Sequence, residues 1–312
     1  MGIYFWRNNT KNCTYINFCP KNWFQWFHVW KGHVSAVKSC CMIKPSASRD
    51  STVINYSMSN FRKSFMSNSL NLEAFISMRN EFLCSYAVMS ICHWILGIGD
   101  RHLSNTLVNV FTGKCLGIDF GHAFGSATQI LPVPELMPFR LTPHILDLAE
   151  PFKEFGLLRE SMVSALKCQK DNQHVLLATM QVFIQEPSMD WFENAHKLAQ
   201  KQSGESDGSK SQSNYFKDAQ ESFSLRNIEL AWKKLEGGHP TEIMIKELEA
   251  GHKTSPYLDA FKKILQGTNE SLRFKFRIDQ ELNANQQVDI LLDQAKDKHI
   301  LGITYAGWEP WA

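Results

Sequence analysis

The stretch GIGDRHLSNTLVNVFTGKCLGIDFG, residues 97–121, limits what this chain can fold into more than any other. Two short runs, Leu103–Val110 and Cys115–Ile118, flank a turn at Phe111–Lys114 that contains Gly113. Such runs around a glycine turn read as a β-hairpin. A hairpin brings its outer ends to one edge, so Asn105 and Asp119 are expected side by side, with Asp100 in the loop just ahead. Asn105 follows Asp100 by five residues, and Asp119-Phe120-Gly121 begins fourteen residues after Asn105. An amide and a carboxylate at one edge suit a hard divalent cation that takes its remaining ligands from phosphate oxygens. A carboxylate in the preceding loop is placed to orient an attacking hydroxyl, and phosphoryl-transfer enzymes use this order and spacing.

Taken singly, Asp100 would more often cap a turn and Asp119 end a strand. Together, with Gly-Ile-Gly ahead and Gly121 behind, they favour the catalytic-loop reading. His102 is open to several roles: a base, a group that stabilises charge on the transferring phosphoryl, or a histidine that fixes the loop by hydrogen bonds. The functional role is preferred. His122, directly after the D-F-G, is balanced between function and structure. Arg101 is expected to pair with a carboxylate and brace the loop.

Around this motif the chain is expected to be mainly helical. Leu72, Phe75, Ile76, Phe82, Leu83, Tyr86, Met89 and Trp94 recur mostly at three- and four-residue spacing, which predicts a long helix ending at Gly97. Residues 120–144 hold three prolines among 120–142 and no periodicity, so they are expected to be loop. Further helices are expected near 144–155, 157–169, 173–185, 188–200, 215–236 and 241–250, with a last amphipathic stretch at Val288–Ala295. The run QSGESDGSKSQSN at 202–214 has the composition of a linker that cannot bury a core.

Composition excludes several classes. Apolar residues make up 44% and charged residues 21%, as in a folded chain, and a net charge of +2 is too small to argue by itself for a nucleic-acid or membrane surface. No apolar run reaches the roughly 18–20 residues that span a bilayer, and the best candidate, Tyr86–Ile98, carries His93. The N-terminus has no apolar signal region. Eight scattered cysteines without a C-x-x-C pair are expected to be reduced and buried, which fits cytosol or nucleus.

G-I-G-D-R-H-x-x-N followed by I-D-F-G-H resembles the phosphatidylinositol 3-kinase-related protein kinases, which carry D-R-H where ordinary protein kinases carry H-R-D. The loop GHAFGSATQILPVPELMPFRLT at 121–142 resembles one member closely, and the ending ILGITYAGWEPWA looks like the family's C-terminal FATC segment. The resemblance runs from about Phe61 to Ala312. It implies an α+β, mainly α fold: the large, C-terminal lobe of a protein-kinase-like domain with small β hairpins, followed by a FATC helical segment. It implies Asp100 and His102 as the catalytic pair and Asn105 and Asp119 as Mg²⁺ ligands. Leu107 and Ile118 would line the floor of the adenine pocket of ATP, a role compatible with ordinary hairpin core. Residues 119–142, with Phe120, Gly121, His122 and Arg140, would be the activation loop that receives a substrate peptide.

The implied function is an ATP-dependent serine/threonine protein kinase of nuclear DNA double-strand-break repair by non-homologous end joining, acting on Ser/Thr-Gln sites. DNA ends and the Ku heterodimer would be met only by regions missing from this chain. A catalytically inactive, pseudokinase-like interaction module is the alternative. A lipid kinase is disfavoured, because Arg140 is the only Lys or Arg between Phe120 and Thr142 and a phosphoinositide headgroup needs a basic cluster.

The expected organisation has five parts. Residues 1–68 are an irregular N-terminal segment, either a kinase insert or a gene-model artefact. Residues 69–200 form the large lobe, 201–214 the linker, 215–279 a helical C-terminal part and 280–312 the FATC-like segment. Before Gly97 there are only Gly2 and Gly32, too few for a glycine-rich phosphate loop, and no Lys lies in a V-A-I-K-like strand. A fragment without the small lobe is therefore expected, its activity alone in doubt. The Trp308–Trp311 cluster is read as a docking element in preference to a membrane-interface anchor or a free end.

Overall fold

The structure is a computed structural model. It describes residues 60–102, 105–184, 212–253, 255–276 and 280–303, together with two short strands, β1 (Gly2–Ile3) and β2 (Ile43–Lys44), which pair antiparallel. The expected helix at 188–200, most of the linker, most of residues 1–68 and the Tyr305–Ala312 tail lie outside the described residues.

Helix α1 (Asn60–Asn68) leads into α2 (Leu72–Leu96), the long helix that the periodicity predicts. The Asn71 side chain accepts the Ala74 N–H at 2.8 Å, supplying an acceptor for one of the first turn's unpaired donors. At the other end Gly97 takes φ +60° and returns its N–H to the carbonyls of His93 and Trp94, a stop that glycine makes without a Cβ penalty. Leu72 and Ile76, expected on the buried stripe, are instead 71% and 40% exposed. The first turns of α2 lie at the rim, where only the Phe75–Met78 side is covered. From Ser90 to Leu96 every residue is buried, so the helix drives its C-terminal end into the core.

Strands β3 (Thr106–Val108) and β4 (Cys115–Gly117) form the expected hairpin, with Thr106 opposite Gly117 and Val108 opposite Cys115. Both are shorter than predicted. The Asn109 side chain accepts the N–H groups of Phe111 and Thr112, which begins the turn directly after Val108. The following segment is not all loop. It contains α3 (Ser126–Ile130) and leads into α4 (Pro143–Leu148). All five residues of α3 are buried, so no alternation marks it in the sequence. The helix predicted over 144–155 breaks after Leu148, near Pro151, and resumes as a single 3₁₀ turn at Lys153–Phe155.

Helix α5 (Leu157–Asp171) packs along α2 through Leu158, Met162, Val163 and Leu166, all nearly inaccessible to solvent. Removing each such side chain from water contributes about 1.5–3 kcal/mol. Helix α6 (Gln173–Ile184) follows it. Helix α7 (Gln212–Glu236) starts three residues before the predicted boundary. Helix α8 (Pro240–His252) then crosses α3 so closely that a Cβ on Gly251 would lie 1.8 Å from the Gln129 carbonyl oxygen.

Helices α9 (Leu258–Gln266) and α10 (Leu272–Lys275) were not expected. Helix α11 (Ala284–Ala295) contains the predicted Val288–Ala295 stretch and opens with a reciprocal capping box between Asn283 and Gln286. It joins α5 by a forked pair, Arg159 to both oxygens of Asp289 at 2.6 and 3.0 Å. Helix α12 (Lys298–Gly302) closes the described chain. The described part is thus mostly helical with small two-stranded sheets, in agreement with the expected α-rich class. Among the described residues, Cys92 and Cys115 are buried, Cys84 is half-buried and Cys168 is exposed, all unbridged.

Candidate active site

The end of α2, the hairpin and the segment after it meet at one edge. The loop 96–99 pairs with 122–125 by backbone bonds: Gly99 N–H to the His122 carbonyl at 2.7 Å, Phe124 to Leu96 at 3.0 Å and Gly125 to Gly97 at 2.8 Å. The Ile118 N–H donates to the Asn105 carbonyl at 2.9 Å, one step beyond the β3–β4 ladder. The two predicted metal ligands, Asn105 and Asp119, therefore belong to the same end of the hairpin.

Asp100 joins them. The Asn105 amide nitrogen donates to the Asp100 carbonyl at 2.8 Å and to its carboxylate at 3.3 Å. This fixes the buried Asn105 side chain and turns its amide oxygen the other way. His102 Nε2 lies 3.9 Å from the Asp100 carboxylate. Burial lowers the His102 pKa, against the opposing pull of Asp100, so the ring is a neutral imidazole near pH 7. Asp119 is exposed, and its carboxylate accepts the Gly121 N–H at 3.4 Å.

Both carboxylates sit on strained backbone. Asp100 has φ +58° and Asp119 φ +57°, left-handed values that non-glycine residues seldom adopt. Such geometry persists where surrounding bonds over-determine it. Arg101 is one source of that constraint. It is buried and donates from Nε to the Gly99 carbonyl at 2.7 Å, from Nη1 to the Ile118 carbonyl at 2.9 Å and from Nη2 to the Asp119 carbonyl. Its guanidinium also lies 5.3 Å from the centre of the Phe120 ring. The expected brace exists, but it grips backbone carbonyls with its guanidinium.

Leu107 is buried in β3, while Ile118 is half-buried at the strand end. Phe120 is buried and packs edge-on against His93, with ring centres 5.9 Å apart. Desolvation holds His93 neutral. Gly121 and His122 are half-buried, and His122 Nδ1 lies 3.4 Å from the Ser126 hydroxyl. Arg140 is separate from this cluster. It is 6% exposed, its guanidinium donates to the Leu301 carbonyl in α12, and its own carbonyl accepts the Tyr86 hydroxyl at 2.6 Å.

Sequence reasoning missed Glu135, a buried carboxylate in the Pro-rich part of the segment, against the Asp100–Arg101 backbone. It also missed the buried Lys234–Glu247 pair at 2.7 Å, whose ammonium caps the C-terminal end of α2 through the Trp94 carbonyl at 2.9 Å. Both lie far in sequence from their partners, so no local spacing marks them. Between these two features is a narrow cavity of about 10 Å³, lined by Trp94, Gly99, Thr128, Glu135, Lys234 and Glu247 among others. It is about the size of one water molecule.

The donor set fits a magnesium ion. Asn105 and Asp119 offer an amide and a carboxylate oxygen, and no cluster of three His, Cys, Asp or Glu among the described residues would compete for it. Magnesium ordinarily takes one or two protein oxygens and completes its shell with water and phosphate.

The same chain carries a match to the phosphatidylinositol 3- and 4-kinase family over residues 4–193 and to the FATC domain over 281–312. The first match begins at residue 4 and so takes in nearly all of the aromatic N-terminal segment. The chain is 40% identical over 278 residues to the DNA-dependent protein kinase catalytic subunit of Gallus gallus, covering 85% of this chain and 6% of that protein. The Xenopus laevis protein of the same name is 43% identical over 255 residues, covering 80% and 6%. Serine/threonine-protein kinase TEL1 of Cryptococcus neoformans is 30% identical over 240 residues, 76% of this chain and 6% of that one. The chain thus spans about 6% of the length of these curated relatives. With the family match covering well over half of its residues and the D-R-H and D-F-G loops meeting at one edge, the chain belongs to the phosphatidylinositol 3- and 4-kinase family.

Proposed function

We propose that this chain carries the catalytic loop and metal edge of a protein serine/threonine kinase, most like the DNA-dependent protein kinase catalytic subunit. The observation that carries the reading is the Asn105 amide, which ties Asp100 to the edge that also holds Asp119. Asp100 accepts the hydrogen bond of the incoming hydroxyl and takes its proton as the hydroxyl oxygen bonds to the γ-phosphorus and the bond from that phosphorus to the ADP oxygen breaks. His102, neutral by burial, offers one ring N–H to the charge that develops on the transferring group. Asn105 and Asp119 would hold a magnesium ion, which would supply neutralising charge to the ATP phosphates when bound. Leu107 and Ile118 give the adenine an apolar floor.

Protein is favoured over lipid as the substrate. Arg140 is the only Lys or Arg of segment 120–142, and it is turned inward onto Leu301. The segment therefore offers no guanidinium or ammonium to an inositol phosphate. By likeness to the named relatives, the substrates are proteins with Ser/Thr-Gln sites, the setting is nuclear double-strand-break repair by end joining, and DNA ends and Ku are engaged through other segments. No helix among the described residues is long and apolar enough to cross a membrane.

The test is phosphate transfer from Mg-ATP to a Ser-Gln peptide, with a Ser-Ala peptide and a phosphoinositide vesicle as controls. Asp119→Asn and Asp100→Asn are expected to lower kcat by about 10³-fold or more without lowering thermal stability. Scarce glycine before residue 97 favours the second reading, an interaction module. Nucleotide binding without turnover would establish that reading and remove the first.

A further inference from the structure

The Glu135 carboxylate reaches across from the peptide-receiving segment to the catalytic loop. Its Oε2 accepts the Asp100 N–H at 2.5 Å and its Oε1 accepts the Arg101 N–H at 3.2 Å. One carboxylate thus binds two consecutive backbone donors, on the peptide unit whose residue 100 lies at φ +58°. Each N–H finds its acceptor in this one side chain, and a left-handed aspartate needs such bonds to hold its place.

The site is built around this contact. The Thr128 hydroxyl donates to the Glu135 carbonyl at 2.6 Å, which pins the backbone that presents the side chain. A Cβ on Gly99 would lie 2.8 Å from Glu135 Oε2 and 2.1 Å from the Ala127 Cβ, so the loop approaches only because residue 99 has no side chain. Glu135 is 7% exposed, and the Arg101 charge acts on it. A buried charge in that position is costly unless hydrogen bonds satisfy it, and the described donors are those two loop N–H groups.

We infer that Glu135 is a positioning residue for phosphate transfer: it holds the Asp100 carboxylate in register with the metal edge and makes that register depend on the segment that receives the peptide. This rests on the proposed role of Asp100. Displacement of Glu135 would withdraw the acceptor from the Asp100 and Arg101 N–H groups. Glu135 touches no reacting atom, so its loss lowers kcat and leaves ATP affinity nearly unchanged.

The experiment compares wild type, Glu135→Ala, Glu135→Gln and Glu135→Asp by two readouts. The first is backbone amide exchange at Asp100 and Arg101, with α5 amides as the fold control. Exchange at 100 and 101 should quicken about tenfold or more in Glu135→Ala while α5 keeps its protection, and Glu135→Gln, which retains one acceptor, should fall between. The second is peptide phosphorylation, where kcat should drop about tenfold or more with KM for ATP within about twofold, partly rescued in Glu135→Gln. If Glu135→Ala loses α5 protection, Glu135→Gln carries the test. Unchanged exchange at 100 and 101 in a folded variant overturns the inference, as does unchanged kcat in an active background. If wild type shows no turnover, the kinase reading fails, and amide exchange alone decides whether Glu135 holds the loop.

Discussion

Two parts of this molecule are built by opposite rules. The layer where α2 packs on α5 is held by apolar contact, with Trp94, Leu158, Met162 and Leu166 almost inaccessible to water. The edge between residues 97 and 135 is held by a polar lattice around two left-handed aspartates. The first loses free energy by volume, whichever methyl group is removed. The second is specific to donor and acceptor, and it maintains a geometry that the backbone alone would not choose. Stability is concentrated in one and the proposed chemistry in the other, with Lys234–Glu247 and the small cavity at their boundary.

The boundary is the most sensitive place to break this division. Lys234→Met leaves Glu247 buried without its partner and should cost about 3–5 kcal/mol, read as a fall in urea midpoint. The double variant Lys234→Met/Glu247→Leu should recover most of that loss, because a well-packed apolar pair replaces a desolvated ionic one. Recovery of none would mean that the ammonium's bond to the Trp94 carbonyl matters more than the pair.

In the apolar layer, Leu166→Ala should cost about 2–5 kcal/mol and leave kcat per folded molecule unchanged. A drop in kcat at full folding would show that the packed layer also positions the site.

The polar edge should show its own pH dependence. Burial raises the Glu135 pKa from 4.5 to about 7, opposed by the Arg101 and Asp100 N–H groups and the Arg101 charge. The folded value exceeds the unfolded one, so the folded chain holds the extra proton between pH 4.5 and 7. This contribution is full below pH 4.5 and is lost as pH rises through 7, on the order of 3 kcal/mol in all. Asp100, Arg101, Arg140 and the Lys234–Glu247 pair are the charged groups that face or line this place. Glu135→Gln leaves them intact and should flatten that part of the stability curve. A curve unchanged from wild type would mean that Glu135 is solvated and titrates as in the unfolded chain.

The smallest effect is the most diagnostic. Asp119→Gly should raise stability by about 1 kcal/mol, since glycine adopts φ +57° without strain, while removing a proposed metal ligand. A destabilised variant would mean that the Asp119 side chain also supports the fold.

Much of the edge was legible in sequence because its determinants are local. The Asn109–Gly113 turn fixes the hairpin, and the hairpin alone places Asn105 near Asp119. The Asn71 and Gly97 caps delimit α2 for the same reason. Legibility failed where burial removed the pattern. Helix α3 is covered on all sides, so Ser126–Ile130 shows no polar face to alternate with an apolar one. Glu135 sits among prolines, 35 residues from the amide it accepts, and only the tertiary fold gives it meaning. Arg140 was legible as a charge but not in its direction, which depends on α12 reaching the segment.

The close crossing at Gly251 has a mechanical consequence. Where side chains separate two helices, they can slip by a rotamer change before the backbone moves. At Gly251 no such cushion exists, because the chain of α8 rests directly on the Gln129 carbonyl. The neighbouring His252 ring lies 3.0 Å from the Thr128 carbonyl oxygen. A force applied to the C-terminal helices is therefore delivered without slack to α3, five to nine residues ahead of Glu135; α8 is a lever, and residue 251 its fulcrum.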